Sequence, residues 1–158
     1  MSDPDHDPKR AESIWAGEFD SADSSSDETA DFLTRLFNEI WNQGNLDAVT
    51  EFVTPSFVNH DWPPNIPSGI EGYKEVVNTF RTGFPDLKMT LAQVVSEGNR
   101  VATRIKLEGT HRGNFFGFEP TDKFVSFGGM QFSRIENGKL TESWEIVDMA
   151  AVAQQLSS

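Results

Sequence analysis

Two stretches of the chain combine residue types that could move a proton. In the first, Asn59, His60 and Asp61 come directly before a loop with three prolines, residues 62–67. An imidazole at this position could shuttle a proton or hold a carbonyl oxygen, with Asp61 orienting it. Trp62 begins the loop, and we expect its ring to lie over a ligand. A histidine that only donates to the backbone at the end of a short strand would explain the same residues.

In the second stretch, Glu145 lies between Trp144 and Ile146, and a glycine-rich strand precedes it. A carboxyl that is buried among apolar side chains has a raised pKa. It could then remove a proton beside a carbonyl and return a proton to the alkoxide that forms. On the other interpretation, Glu145 lies on a solvated face of a sheet while Trp144 and Ile146 belong to the core. Periodicity alone favours this second interpretation.

A third candidate is His111, which follows a glycine and alternates with Leu107 and Gly109. It could donate into a pocket, or it could fix the loop that follows it. His60, Asp61 and His111 are residue types that bind metals, but their spacing is not that of a metal motif, so we predict no metal site. The chain contains no cysteine, which excludes disulfides and thiol nucleophiles.

The elements that must position these residues run in the order helices first, strands second. Apolar residues recur at helical spacing over residues 28–41, behind a capping box of Ser25 and Glu28, and again over residues 69–84. From Leu87 onward the alternation has a period of two, which predicts strands. This order is typical of an α+β domain with helices packed on one face of an antiparallel sheet.

The turn between the last two strands decides which residues share a face. A three-residue loop of Glu136-Asn137-Gly138 pairs Gly129 with Glu145, whereas a two-residue turn pairs Met130 with Glu145. We favour the three-residue loop. It places one group of residues on a common face: Gly129, Gln131, Ser133, Ser143 and Glu145. It leaves a second group on the opposite face: Met130, Phe132, Trp144 and Ile146.

Length and charge bound the class of protein. The 158 residues fit one domain and a tail: residues 1–25 are acidic and we expect them to be disordered, and residues 26–158 form the domain. The net charge of −12 argues against nucleic acid and anionic membranes as partners. No apolar run is long enough to span a membrane and no signal-peptide pattern is visible, so we expect a cytoplasmic protein.

Several motifs, in order along the chain, resemble the SnoaL-like polyketide cyclases, also called ester cyclases. The central motif is Gly109-Thr110-His111-Arg112-Gly113, followed by Gly117-Phe118-Glu119-Pro120-Thr121. Phe84-Pro85-Asp86-Leu87 precedes it, and Asn137-Gly138-Lys139-Leu140-Thr141-Glu142-Ser143-Trp144, Asp148 and Gln154-Gln155-Leu156 follow it. The likeness covers about residues 28–156, and it is more specific for the family than for any one reaction.

The resemblance implies a nuclear-transport-factor-like fold: a cone-shaped, curved antiparallel sheet wrapped around N-terminal helices. It also implies a pocket at the open end and frequent homodimerisation through the sheet. In the characterised cyclases one acidic residue on the last strand is general acid and base for an intramolecular aldol closure, without metal or cofactor. Counting from the Gly-Lys turn, that position is Glu145, where the cyclases have aspartate. The position of the helper histidine corresponds to Gln131, which cannot titrate.

Together these observations predict a cofactor-independent acid/base enzyme of cyclase or isomerase type, acting on a small, largely apolar carbonyl compound. We assign Glu145 and His60 as catalytic, and five residues as ligand-binding: Asn59, Asp61, Trp62, His111 and Gln131. Two alternatives stay open. One is a non-catalytic small-ligand-binding module of the same fold, which Gln131 favours. The other is a hydrolase such as an epoxide hydrolase, in which the carboxylate activates water.

Overall fold

The computed structural model describes residues 24–158, so the predicted acidic tail, residues 1–25, lies almost wholly outside the described part. The helices are α1 (Ser24–Leu36), continued by a π-helical turn (Phe37–Asn42), a 3-10 turn (Leu46–Ala48), α2 (Val49–Phe52), α3 (Gly69–Gly83) and α4 (Met149–Ser157). The strands are β1 (Val53–Asn59), β2 (Lys88–Glu97), β3 (Arg100–Thr110), β4 (Phe124–Glu136) and β5 (Lys139–Val147). The predicted α+β order is confirmed. Ser25, the first residue of the predicted capping box, lies within the described part of α1.

The sheet is curved and open, with the strand order β1-β5-β4-β3-β2. Strands β2 to β5 form an antiparallel meander, as predicted. The first strand departs from the antiparallel prediction, because β1 pairs with β5 in parallel. This pairing brings Asn59, at the end of β1, beside Ser143 on β5. The loop that follows β1 is thereby anchored next to the last strand.

The core lies between the concave face of the sheet and the helices α1 and α3. On the helix side Leu33, Ile40 and Val77 are fully or almost fully buried, and on the sheet side Leu107 and Val125 meet them. Burial of apolar side chains on this scale is the main favourable contribution to folding. The helices within residues 24–158 thus close one face of the sheet and leave its other face uncovered.

The β4–β5 hairpin corrects the predicted register. Glu136 pairs with Lys139, so the turn has two residues, and the register shifts by one residue between Ile135–Leu140 and the pair Arg134–Glu142. Glu145 consequently pairs with Gln131, not with Gly129. The predicted faces are nevertheless right, because Gln131 and Gly129 are two positions apart and point to the same side.

Candidate active site

Glu145 on β5 is the centre of a small polar cluster on the concave face. Its Oε1 accepts a hydrogen bond from Trp62 Nε1 at 2.8 Å. Its Oε2 lies 3.4 Å from Nε2 of Gln131, the residue directly opposite on β4. Its backbone N–H donates to Asp61 Oδ2 at 2.7 Å. The structure therefore brings together Glu145, Gln131, Asp61 and Trp62.

The loop after β1 holds Trp62 in this cluster through contacts at both of its ends. At its start, Asn59 Oδ1 accepts a hydrogen bond from the backbone N–H of Asp61 at 3.0 Å. Towards its end, the loop runs so close to α3 that a Cβ on Gly72 would lie 1.6 Å from the carbonyl oxygen of Pro67. Only glycine allows this approach. The loop is thus fixed on β5 at one side and on α3 at the other.

The surroundings of Glu145 raise its pKa above the usual value for glutamate. Burial is the largest cause, because a carboxylate loses hydration among apolar side chains. The Trp62 hydrogen bond opposes this shift, the negative charge of Asp61 reinforces it, and the Asn59 amide opposes it. Asn59 Nδ2 is buried and makes no hydrogen bond within 3.5 Å, so it faces the carboxyl without a closer partner. The carboxyl can consequently both accept and return a proton.

A groove of about 570 Å³ opens at this carboxyl. It lies between the loop after β1, the helix α3 and the end of β5, and its lining includes Trp62, Ile66, Phe80, Phe116 and Val147 as well as Glu145. Its size and its mainly apolar walls with a few polar groups are those of a small-molecule site. The groove therefore offers space for a ligand beside the Glu145 carboxyl.

Behind Glu145 the interior is closely packed. A cavity of about 20 Å³ is left between the carboxyl, Gln131, Trp41 and Tyr73. Trp41 Nε1 donates to the Tyr73 hydroxyl at 2.9 Å, and the Tyr73 ring packs on Phe57 and Trp62. Burial raises the pKa of Tyr73, so the hydroxyl stays protonated. A cavity of this size can hold about one water molecule and no organic ligand.

His60 is not brought together with Glu145. Its ring stacks on Trp144, with centroids 4.7 Å apart, and its Nε2 lies 3.7 Å from Glu142 Oε1. Trp144 and Glu142 both lie on the convex face of β5, opposite to Glu145. The backbone N–H of His60 donates to the carbonyl of Ser143 at 2.9 Å.

His111 is also remote from the groove. It follows Thr110, which pairs with Phe124 at the far end of β4, roughly 20 Å along the strand from Gln131. His111 is fully buried, its Nδ1 lies 3.0 Å from Thr121 Oγ1, and its backbone pairs with Lys123. The residue fixes the loop between β3 and β4. Within residues 24–158, no three histidine, aspartate or glutamate side chains converge as a metal site would require.

Sequence reasoning did not single out three groove or cluster residues: Tyr73, Phe80 and Phe116. Tyr73 and Phe80 fall on the apolar stripe of α3, where nothing distinguishes a site residue from a core residue. The chain's single tyrosine, with a hydroxyl that needs a partner when buried, was the available signal for Tyr73. For Phe116 the signal was the pair Phe116-Gly117 at a turn, where asparagine usually precedes the glycine.

Comparison with known proteins found similar sequences and structures. A family model described as SnoaL-like polyketide cyclase matches residues 32–156. Nogalonic acid methyl ester cyclase from Streptomyces nogalater is 26% identical over 121 residues, which cover 73% of this chain and 88% of that protein.

Solved structures are similar over most of the chain. IdmH from Streptomyces antibioticus, a candidate polyketide cyclase, is 31% identical with a TM-score of 0.70, over 81% of this chain and 97% of that one. A candidate polyketide cyclase from Acidithiobacillus ferrooxidans is 28% identical with a TM-score of 0.73, over 87% and 98% of the two chains.

Proposed function

The chain belongs to the SnoaL-like polyketide cyclase family, and on that premise we propose that it is an acid/base enzyme of cyclase type in which Glu145 carries the proton. Membership of the family supports a cyclase or isomerase type of function. The identity of the proton carrier, the nature of the substrate and independence from cofactors are the parts that we propose.

The observation that carries the proposal is the environment of the Glu145 carboxyl. It lines the groove, burial raises its pKa, and Trp62 donates a hydrogen bond of 2.8 Å to one of its oxygens. A carboxyl with a raised pKa is a stronger base when it is ionised. Near neutral pH, its protonated and ionised forms are also closer to equal populations. Trp62 fixes its orientation through Oε1, and the contact of Oε2 with Gln131 is longer, at 3.4 Å, so we propose Oε2 as the oxygen that exchanges the proton.

The reaction that fits is an intramolecular aldol closure. Ionised Glu145 removes a proton from the carbon beside a carbonyl, and the enolate carbon then bonds to a second carbonyl carbon of the same molecule. The alkoxide that forms takes the proton back from Glu145. One carboxyl therefore completes the cycle, and we propose that no cofactor takes part. Gln131 can hold the carboxyl or a substrate oxygen, but it cannot exchange a proton.

The apolar walls of the groove favour a small, largely apolar carbonyl compound, with Asp61 and Trp62 at its rim. The name of the Streptomyces nogalater relative identifies nogalonic acid methyl ester as the substrate of that protein. We propose this ester as the first substrate to test. The remaining residues assigned from sequence, His60 and His111, lie away from the groove and have no part in the proposed reaction.

The test compares two glutamates of the same strand. Glu145→Gln removes the proton carrier but keeps size and hydrogen bonding, and Glu142→Gln makes the same change on the convex face. With nogalonic acid methyl ester, we expect Glu145→Gln to lower kcat about 10²- to 10⁴-fold, the usual contribution of general acid–base catalysis. Glu142→Gln should stay within about twofold of the wild type, since it touches no group of the groove. Ring closure is followed by chromatography and mass spectrometry.

Deuterium incorporation from D₂O beside the carbonyl gives an independent readout of proton removal. Full activity of Glu145→Gln would contradict the proposal. A wild type that binds the ester tightly but neither closes the ring nor exchanges the proton would instead support the non-catalytic binding module. Incorporation of ¹⁸O from labelled water into the product would indicate the hydrolase.

A further inference from the structure

The loop between β3 and β4 contains a two-residue hairpin turn with an unusual residue at its tip. Phe115 and Phe118 exchange two backbone hydrogen bonds, of 3.1 and 3.0 Å. The two residues between them, Phe116 and Gly117, have φ angles of +47° and +86°. Two consecutive positive φ angles are the mark of a type I′ turn, whose first position prefers asparagine, aspartate or glycine.

Phenylalanine is an outlier at such a position. Within residues 24–158 the other non-glycine residues with positive φ are Asp122 and Asn137, which belong to the two types that tolerate it. The β4–β5 turn has the same pair of positive φ angles, +51° and +75°, but its residues are Asn137 and Gly138. A bulky side chain is therefore held at Phe116 against its backbone preference.

The core does not require this side chain. Phe115, its neighbour, is fully buried and anchors the turn: a Cβ on Gly83 would lie 2.8 Å from its side chain. The Phe116 side chain is 53% exposed, although its ring contacts Phe115 and Phe80 at centroid distances of 4.7 and 6.3 Å. Positions that violate a local rule without a gain in packing are expected at functional sites.

The exposed ring lines the same groove as Glu145. Trp62 and Ile66 form the side of the groove that comes from the loop after β1, and Phe116 comes from the loop between β3 and β4. We propose that Phe116 is a specificity-determining residue of this groove, held by a strained turn so that its ring contacts an apolar ligand beside the Glu145 carboxyl. The inference rests on the proposed function for the use of the groove, but it concerns binding and its test needs no turnover.

The test uses the two matched turns. Phe116→Asn installs the residue that the turn prefers, and Asn137→Phe installs the disfavoured one in the other turn. The probe is prodan, a flat fluorescent aromatic ketone whose emission shifts to the blue in apolar surroundings. For Phe116→Asn we expect the Kd for prodan to rise about tenfold, the loss of one aromatic contact. Its Tm should lie no more than about 2 °C below that of the wild type, because the relief of strain offsets the lost contacts.

Asn137→Phe should show the opposite pattern: a Tm lower by about 2–4 °C, as a strain of this kind implies, with prodan affinity unchanged. Phe116→Tyr keeps the ring and should bind prodan within about twofold of the wild type. The inference is overturned if the wild type does not bind prodan, if Phe116→Asn binds it normally, or if Phe116→Asn loses 5 °C or more in Tm. The Kd for prodan needs no turnover and tests this inference, whereas the kcat of Glu145→Gln tests the catalytic proposal, so the two failures are told apart.

Discussion

At the scale of single residues, the chemistry of Glu145 depends on neighbours that act in opposite directions. Trp62 donates a hydrogen bond to the carboxyl and lowers its pKa, while Asp61, whose own carboxylate holds the Glu145 backbone, raises it. The two neighbours are adjacent in sequence and belong to the same loop. Their contributions can therefore be separated by substitutions that leave the loop in place.

We expect two such substitutions to move the pKa of Glu145 in opposite directions. Trp62→Phe keeps an aromatic ring but removes the donor to the ionised form, so the pKa of Glu145 rises. Asp61→Asn removes a negative charge but keeps an oxygen for the Glu145 N–H, so the pKa falls. Since proton removal requires ionised Glu145, kcat/KM increases as pH rises through this pKa. The acidic limb of the profile should move to higher pH in Trp62→Phe and to lower pH in Asp61→Asn.

A ¹³C NMR titration of the glutamate side-chain carboxyls checks the same shifts without substrate, and the resonance missing from Glu145→Gln assigns the signal. If both variants moved the pKa in the same direction, or neither moved it, the electrostatic description of the site would be wrong. If the acidic limb of the kcat/KM profile moved while the Glu145 pKa measured by NMR did not change, another group would control the rate.

The residue scale also shows why the sequence could not indicate that His60 lies apart from Glu145 and Trp62. Asn59, His60 and Asp61 are consecutive, and consecutive residues of an extended chain point to opposite sides. Asn59 pairs with inward-facing Ser143, whereas His60 stacks on outward-facing Trp144. A cluster of chemically suitable residues in sequence was therefore divided between two faces of the sheet.

At the scale of elements, the β4–β5 hairpin shows what a strand pattern determines and what it does not. Sequence reasoning placed Glu145 opposite Gly129, but the two-residue turn and the extra residue in β5 near Thr141 each shift the pairing by one and together place it opposite Gln131. The error is two residues, and the side-chain period of a strand is also two. The residues assigned to each face of the hairpin were therefore on the correct face, although each was paired with the wrong residue of the other strand. A bulge leaves no clear sign in the alternation, so the register could not be found from sequence.

The helix α3 and the proline loop provide a test at the same scale. At an exposed helix position, replacing glycine by alanine stabilises by about 1 kcal/mol. At Gly72 we expect the reverse, because the new Cβ would lie 1.6 Å from the Pro67 carbonyl oxygen and must displace the backbone. Gly72→Ala should lower stability by about 1–3 kcal/mol, a fall in Tm of roughly 3–10 °C.

The displaced loop should also carry Trp62 away from Glu145, so the pKa of Glu145 should rise as it does in Trp62→Phe. Glu75→Ala, at an exposed position of the same helix, is the control and should change stability by less than about 0.5 kcal/mol. Calorimetry and the NMR titration measure the two effects. A Gly72→Ala protein with normal Tm and normal Glu145 pKa would show that α3 does not position the loop.

At the scale of the whole molecule, the convex face of the sheet is the feature that one chain leaves unexplained. No helix of the described residues packs on it, and apolar side chains such as Val95, Met130 and Ile146 are 70%, 64% and 78% exposed there. Apolar surface on adjacent strands is typical of an interface. No helix within residues 24–158 is long and apolar enough to cross a membrane.

We expect this face to pair with the same face of a second copy, as the family resemblance implies. The chain carries a net charge of −12, but residues 1–31 contribute ten acids and two bases and thus −8 of it. Residues 32–158 thus carry −4 of the charge, and salt should screen the repulsion between two copies. The wild type should elute with twice the chain mass of 17.7 kDa in light scattering, and more completely at higher salt.

Met130→Asp places a charge in the middle of the convex face and should give the mass of one chain with an unchanged circular dichroism spectrum. Asn78→Asp adds the same charge at an exposed position of α3 and should remain a dimer. A monomeric wild type, or a dimeric Met130→Asp, would mean that the convex face is not where two copies meet.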